Sequence, residues 1–203
     1  MNWRTILYAL RYPSISGKFI PFVVSIPARI KIRTNNLVLH GRLFIGAPGR
    51  NKQRVSATKV NIDFADNSVV QIGHSVSVGP GVHIVVKQNA ELKIGDGTYF
   101  TSDLHLECCK QISIGNNCAI SWGSTIIDSD HHELDYEGKI SAEEKVIIGD
   151  NVWIGCNVTL LKGTEIGSGS VVAAGSVVKG VFPAHVLIAG NPARVIKQDV
   201  KWK

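Results

Sequence analysis

Residues 146–178 read VIIGDNVWIGCNVTLLKGTEIGSGSVVAAGSVV, and an aliphatic residue recurs in this stretch at every sixth position. The recurring residues are Ile148, Ile154, Leu160, Ile166, Val172 and Val178. In an α-helix of 3.6 residues per turn, a step of six would carry these side chains around the helix axis. In a β-strand they stay on one face, because six is a multiple of two. The stretch therefore predicts a series of short strands, one for each six-residue unit.

The same spacing extends towards the N-terminus. Three more series have it: Ile72, Val78, Ile84 and Ala90; Ile94, Phe100 and Leu106; and Ile114, Ile120 and Ile126. Glycine often follows the aliphatic residue, as in Ile94-Gly95 and Ile148-Gly149, and supplies a turn after each strand. Strands chained in one direction give a three-sided coil, and coils stack because none can bury its apolar face alone. We predict an all-β fold, a left-handed parallel β-helix of hexapeptide repeats, with an ordinary β-sandwich as the alternative.

The register of the repeat divides the chain into three segments. We expect the β-helix to cover residues 37–181, interrupted by a polar loop at 128–145, and residues 182–203 to form a closing loop and tail. Residues 1–36 lie outside the repeat. They are predicted to cap the first coil or, alternatively, to form an amphipathic segment that contacts a membrane surface.

Composition limits the setting in which the protein works. The 203 residues carry a formal net charge of +6, and the four cysteines form no CxxC pair or disulfide framework, which indicates a reducing compartment. Neither N-terminal apolar run reaches the ~18–20 residues of a spanning helix, and the start of the chain lacks the pattern of a signal peptide. We expect a cytoplasmic protein, with the inner face of the membrane as an alternative location.

Three stretches resemble a known family, the hexapeptide-repeat O-acetyltransferases that modify sugars such as galactosides and maltose, and bacterial surface polysaccharides. The first is Ile120-Ser121-Trp122 followed by the run IIDSDHH at 126–132. The second is IGDNVWIG at 148–155, and the third is AGNPARVI at 189–196. The resemblance implies an acyltransferase that moves an acetyl group from acetyl-CoA to a hydroxyl of a sugar or a surface-glycan precursor.

In that family a loop histidine acts as the general base, and the acceptor hydroxyl attacks the thioester directly. The pattern Asp-x-Asp-x-His places this base at His132, whereas the spacing Asp-x-Asp-His of some relatives selects His131. Histidine suits the role because its ordinary pKa of roughly 6.5 lets it accept a proton near neutrality. Neighbouring carboxylates could fix its tautomer, and the candidates are Asp128, Asp130 and Glu133.

The resemblance also implies a groove for the donor. Its expected lining is Trp153, Gly155, Cys156, Ala174 and Ser176, and its expected phosphate contacts are Lys179, Arg194 and Lys197. Lys197 stands where close relatives carry arginine, so phosphate binding there is expected to be less directional. The candidates for binding the acceptor are Asp103, His105, Glu107 and Asp130. Family members form homotrimers with active sites between subunits, and the reaction requires no metal.

Other functions of the same fold fit less well. A γ-type carbonic anhydrase would need a His-x4-His pair, and a sugar nucleotidyltransferase would need a glycine-rich nucleotide-binding start. A serine acetyltransferase would need a longer helical N-terminal domain, and nucleic-acid binding is disfavoured because the basic residues are scattered. The alternatives that stay open are an N-acetyltransferase of an amino sugar and a non-catalytic scaffold. The sequence does not name the acceptor, and it offers no role for Cys108-Cys109.

Overall fold

The computed structural model describes residues 22–24, 28–46, 59–133 and 141–202, and the regular elements within these ranges are β-strands in three sheets. The first sheet has nine strands: β1 (Phe22–Val24), β4 (Leu43–Ile45), β7 (Ser77–Val78), β10 (Tyr99–Phe100), β13 (Ala119–Ile120), β16 (Trp153–Ile154), β19 (Val171–Val172), β22 (Leu187–Gly190) and β23 (Ala193–Lys197). The second has seven strands: β2 (Ala28–Ile32), β5 (Val60–Phe64), β8 (His83–Val86), β11 (His105–Cys108), β14 (Thr125–Ile127), β17 (Thr159–Leu160) and β20 (Val177–Val178). The third also has seven: β3 (Asn36–Leu39), β6 (Val69–Ile72), β9 (Glu91–Ile94), β12 (Gln111–Ile114), β15 (Val146–Ile148), β18 (Glu165–Ile166) and β21 (Val181–Phe182).

Successive strands pass from one sheet to the next, as the six-residue spacing predicts. Ile148, Ile154 and Leu160 lie in the third, first and second sheets, and Ile166 then returns to pair in parallel beside Ile148. All four side chains are at most 2% exposed, within one continuous aliphatic core. The predicted all-β fold, a left-handed parallel β-helix, is confirmed.

The glycines that follow the aliphatic residues serve a purpose other than the expected one. A Cβ on Gly95 would lie 2.6 Å from the carbonyl carbon of Gly115, and a Cβ on Gly115 would lie 2.6 Å from that of Gly149. Close stacking of the coils, and not the backbone angle, therefore requires glycine at these positions. The turns that follow use left-handed residues two positions later, such as Asn117 and Asn151 at φ 54°.

The solenoid is longer than the segment predicted at 37–181. β1 and β2 already pair in parallel with β4 and β5, and β22 continues the first sheet beyond residue 181. The six-residue pattern did not predict the first coils because their spacing is irregular. Ile30 is nevertheless as buried as the later core residues. β23 then folds back antiparallel to β22 and covers the last edge of that sheet.

Residues 1–21 lie outside the described part of the chain, so the choice between a cap and a membrane-contacting segment stays a prediction. In the described ranges, no helix is long and apolar enough to cross a membrane.

Candidate active site

The polar loop predicted at 128–145 leaves the solenoid directly after β14 and returns just before β15. Its two ends form a short antiparallel neck, in which Ser129 pairs with Glu143. The Asp130 amide donates to the Ala142 carbonyl at 2.9 Å, and the Glu144 amide donates to the Asp128 carbonyl at 3.0 Å. We call residues 128–132 and 141–144 the loop neck. It fixes where the histidines leave the solenoid.

A fully buried carboxylate ties the loop neck to the preceding coil. Asp128 is 0% exposed and accepts hydrogen bonds from the backbone amides of Cys109, Lys110 and Gln111 at 2.7, 2.8 and 2.7 Å. Three such bonds satisfy a buried charge that would otherwise be costly. Asp128 therefore has a structural role. Within the described residues its hydrogen-bond donors are these three amides and the Cys108 thiol, and not a histidine ring as the sequence suggested.

A buried lysine fixes the other side of the neck. Lys162 follows β17, and its side chain is only 4% exposed. Its ammonium group lies 2.7 Å from Oδ2 of Asp130 and donates to the Ser141 carbonyl. Asp130 was predicted to bind the acceptor or to orient the histidine. The structure pairs it with Lys162 across the base of the loop, and its role in binding the acceptor stays a prediction.

His131 lies over the outer face of the second sheet, against Glu107 on β11. Its Nε2 is 3.5 Å from Oε2 of Glu107, and Nε2 of His105 is 3.5 Å from the same oxygen. The other oxygen, Oε1, lies 2.7 Å from the ammonium of Lys87. A left-handed backbone at His131, with φ 57°, and a hydrogen bond from its amide to the Ser129 hydroxyl hold the residue in place. Glu107 is thus the carboxylate that contacts a loop histidine.

The charges around Glu107 outweigh its burial. Burial alone would raise the pKa of Glu107, but the hydrogen bond and charge of Lys87, with help from His131 and His105, hold that pKa below its usual value. The pKa of Lys87 is raised in turn, mainly by its hydrogen bond to Glu107. The carboxylate is therefore ionised at neutral pH and can accept from the ring of His131.

His132 follows immediately and is exposed. Glu133, the third carboxylate proposed to fix a histidine tautomer, is exposed beside it, while Asp103 lies in an exposed turn before β11 with φ 50°. The structure thus brings His105, Glu107 and His131 together and leaves His132 projecting from the neck into solvent.

The residues predicted to bind the acetyl-CoA donor differ in their exposure to solvent. Ala174, Lys179, Arg194 and Lys197 are exposed, Trp153 is 42% exposed, and Cys156 is half-buried. Gly155 and Ser176 are buried, and both have internal structural roles.

A Cβ on Gly155 would lie 2.6 Å from the Ala174 amide nitrogen, so coil stacking requires this glycine. The Ser176 hydroxyl donates to the Ala173 carbonyl at 2.7 Å and accepts from the Gly190 amide at 3.2 Å. Their place in the donor groove stays a prediction.

Trp153 sits in an aromatic pair that the sequence did not reveal. Its ring centroid is 6.2 Å from that of Trp202, in the C-terminal tail, and its Nε1 donates to the Ser121 hydroxyl at 3.3 Å. Trp202 in turn donates to the Asn151 carbonyl. The tail therefore folds back over the first sheet beside Trp153.

Sequence reasoning missed the residues that hold the site together, namely Lys87, Lys162 and Trp202. Each lies at least twenty residues in sequence from the group it contacts. An available signal was Lys162 itself, a charged residue inside the most regular part of the repeat.

The two predicted halves of the site occupy different faces of the solenoid. His105 and Glu107 lie on the second sheet, with His131 over them. Trp153, Arg194 and Lys197 belong to strands of the first sheet. Within one chain, the histidine cluster and these donor candidates therefore stand on separate faces.

Comparisons with known proteins agree with this fold. A family model described as bacterial transferase hexapeptide (six repeats) matches residues 145–180. An uncharacterized 24.8 kDa protein in the cps region of Klebsiella pneumoniae is 39% identical over 135 residues, which are 66% of this chain and 60% of that protein. The chain thus spans about 60% of the length of this curated relative.

Two solved structures are also similar. A hexapeptide-repeat-containing acetyltransferase from Vibrio cholerae O1 biovar eltor, complexed with acetyl-CoA, is 31% identical with a TM-score of 0.55, covering 65% of this chain and 70% of that one. A polysialic acid O-acetyltransferase is 24% identical with a TM-score of 0.63, covering 90% and 86%. The second likeness shows a shared fold.

Proposed function

Since the predicted resemblance to the hexapeptide-repeat acetyltransferases is confirmed, we propose that the chain is an acetyl-CoA-dependent O-acetyltransferase acting on a saccharide hydroxyl. The observation that carries this proposal is the loop neck, which holds a histidine pair rigidly outside an otherwise aliphatic solenoid. Catalytic groups are expected where a regular scaffold is interrupted, because the inner side of the repeated coils is filled by aliphatic side chains.

We propose His132 as the general base. It ends the Asp-x-Asp-x-His pattern, is exposed, and follows a residue whose backbone and side chain are both fixed. A neutral imidazole there can take the proton from an acceptor hydroxyl as the oxygen attacks the acetyl carbonyl. His131 has a supporting role in this proposal, because its contact with Glu107 holds the neck against β11.

The alternative base is His131, and one observation favours it. Glu107 Oε2 lies 3.5 Å from Nε2 of His131, so the carboxylate would fix the tautomer and leave Nδ1 to accept a proton. Both assignments use the same loop neck, and they differ in which ring faces the acceptor.

The exposed cations of the C-terminal region fit the donor. Lys179, Arg194 and Lys197 offer charge for phosphates, and the guanidinium of Arg194 can bind a phosphate through two nitrogens. When bound, acetyl-CoA supplies the activated acetyl thioester. The acetyltransferase from Vibrio cholerae that resembles this chain was solved with acetyl-CoA, which supports the same donor here.

We further propose that the active site is completed in a homotrimer. The histidine cluster and Trp153 lie on different faces of a three-sided prism, and a closed threefold assembly brings one face of a subunit against another face of its neighbour. Each site would then combine the loop neck of one chain with the donor residues of the next. The cytoplasmic location stays a prediction.

The decisive experiment measures CoA release from acetyl-CoA with a panel of saccharides, using wild type, His132→Ala and His131→Ala. General-base catalysis contributes roughly 100- to 10,000-fold, so His132→Ala should lower kcat by that factor and His131→Ala by much less. The reverse order would assign the base to His131. Equal activity in all three proteins would contradict acetyl transfer from this loop.

The same panel tests the acceptor. It should contain amino sugars beside their hydroxyl counterparts, with the acetylated product identified by mass. Acetylation of the amine in preference to the hydroxyl would replace the proposed O-acetyltransferase with an N-acetyltransferase. Analytical ultracentrifugation of the same samples tests the trimer, which predicts a sedimenting mass of three chains.

A further inference from the structure

Cys109 lies beside the histidine cluster and has no part in the proposed reaction. It follows β11 directly and is half-buried. Its Sγ, a carboxylate oxygen of Glu107 and a ring nitrogen of His131 all lie within 4.8 Å of one another. Three different residue types with strong affinity for metals thus converge at the foot of the loop.

These three groups match the ligand preferences of a particular class of ion. Zn²⁺ binds thiolate, imidazole and carboxylate in tetrahedral sites, whereas Mg²⁺ and Ca²⁺ prefer oxygen ligands alone. Tetrahedral ligands about 2.0–2.3 Å from zinc stand roughly 3.3–3.8 Å apart. The 3.5 Å between His131 Nε2 and Glu107 Oε2 already has this value.

The salt bridge at Glu107 does not compete for the same oxygen. Lys87 holds Oε1 at 2.7 Å, whereas Oε2 lies 3.5 Å from Nε2 of both His131 and His105. A cation could therefore bind Oε2 while Lys87 keeps its partner. Lys87 would then balance part of the negative charge of the thiolate and carboxylate.

The backbone on both sides of this cluster is fixed independently of any ion. Asp128 accepts from the Cys109 amide at 2.7 Å, and the Ser129 hydroxyl accepts from the His131 amide at 3.0 Å. Since Asp128 and Ser129 are adjacent, one short segment positions both the thiol and the imidazole. A cation would therefore have to order little of the backbone when it binds, which favours its affinity for the site.

We propose that Glu107, Cys109 and His131 form a binding site for a thiophilic divalent cation such as Zn²⁺. Coordination replaces the thiol proton of Cys109, which passes to solvent, and leaves a fourth position open on the exposed side of His131. The site is separate from the proposed base, because His132 supplies none of its ligands.

Occupation of this site would restrain the loop. A cation bound to these three residues would add a link between the loop neck and the end of β11, beside the existing contact of His131 with Glu107.

The test is titration of the full-length protein with Co²⁺, a spectroscopic substitute for zinc, followed by competition with Zn²⁺. Wild type should develop thiolate-to-cobalt charge-transfer absorption that saturates at one ion per chain. Cys109→Ser should abolish the band, while Cys156→Ser, which removes another half-buried thiol, should keep it. No band in wild type, or a band that survives in Cys109→Ser, would overturn the site.

The adjacent histidines provide a matched pair for Zn²⁺ titration calorimetry. Loss of a direct ligand should weaken Zn²⁺ binding by at least about 100-fold in Cys109→Ser and His131→Ala. His132→Ala should bind Zn²⁺ as wild type does; equal weakening by both histidine variants would contradict the assignment. These readouts need no turnover, so they stand whether or not the proposed acetyl transfer does.

Discussion

The stacked coils of residues 146–178 and the loop neck are stabilised by different kinds of interaction, although the neck ends just before β15, the first strand of those coils. In the coils, aliphatic side chains from three sheets fill one continuous core, and the stabilising force has little direction. At the neck the contacts are directional and have fixed partners. Asp128 accepts from the Cys109 amide, Asp130 pairs with Lys162, and His131 contacts Glu107. The coils therefore provide stability and the neck provides position, so substitutions should separate the two.

The largest effect on stability is expected from the coils. Leu160→Ala removes a fully buried side chain from β17 and should lower the free energy of unfolding by about 2–5 kcal/mol. Because the neck is untouched, kcat per folded molecule should stay near that of wild type. Urea unfolding and a CoA-release assay on the same preparation measure both quantities, and a parallel fall in kcat would show that the two regions are not separable.

The sequence could predict the coils because their stabilising rule is local and repeated. Ile148, Ile154 and Leu160 show their shared environment through spacing alone, and the structure buries all three. The ends of the solenoid were harder to predict, since β2 and β22 pair within the same sheets but do not continue the six-residue spacing.

The neck could be located but not assembled from sequence. The run at 128–132 marked the interruption, yet the partners of its residues lie on other coils, at Cys109, Glu107 and Lys162. Spacing carries no information about such contacts, because each occurs once.

The second expected effect is on catalysis, through Asp128. In Asp128→Asn the side chain keeps its volume, but its NH₂ group is a donor. It would replace the oxygen that now accepts from the Lys110 and Gln111 amides, so these hydrogen bonds are lost. A displacement of about 1 Å can cost up to about 100-fold in rate, so kcat should fall about 10- to 100-fold. Steady-state kinetics at matched folded fraction measures this, and a change confined to KM would assign Asp128 to binding rather than positioning.

A smaller effect is expected from the lysine that closes the neck. Lys162→Met keeps the buried aliphatic part of the side chain. Asp130, which is already 46% exposed, is then solvated by water, so the free energy of unfolding should change by less than about 1 kcal/mol. The loop nevertheless loses its link between Asp130 and Ser141, and kcat should fall several-fold. Lys145→Met is the control, because Lys145 pairs with Glu165 on the solenoid and should leave kcat unchanged. Equal kinetics for both variants would rule out Lys162 as a positioning residue.

The smallest expected effect is a pH dependence that comes from Glu107, the carboxylate beside the neck residue His131. The folded pKa of Glu107 lies below the ordinary value of 4.5, because Lys87 opposes the effect of burial. Its contribution to stability is therefore fully present above 4.5 and is lost as the pH falls through the folded value. Lys87→Met removes the main opposing interaction, so the pKa of Glu107 should rise and this loss at low pH should shrink.

Urea unfolding of wild type and Lys87→Met, compared at about pH 6 and about pH 3, measures that difference. The free energy of unfolding should fall less in Lys87→Met than in wild type over this interval. Because Lys87 is half exposed, high salt should narrow the gap between the two proteins. Lys145→Met should keep the pH dependence of wild type, since Lys145 pairs with Glu165 and not with Glu107. If the free energy of unfolding falls equally with pH in all three proteins, Lys87 does not hold the Glu107 carboxylate ionised. The contact between Glu107 and the neck would then gain nothing from the charge of Lys87.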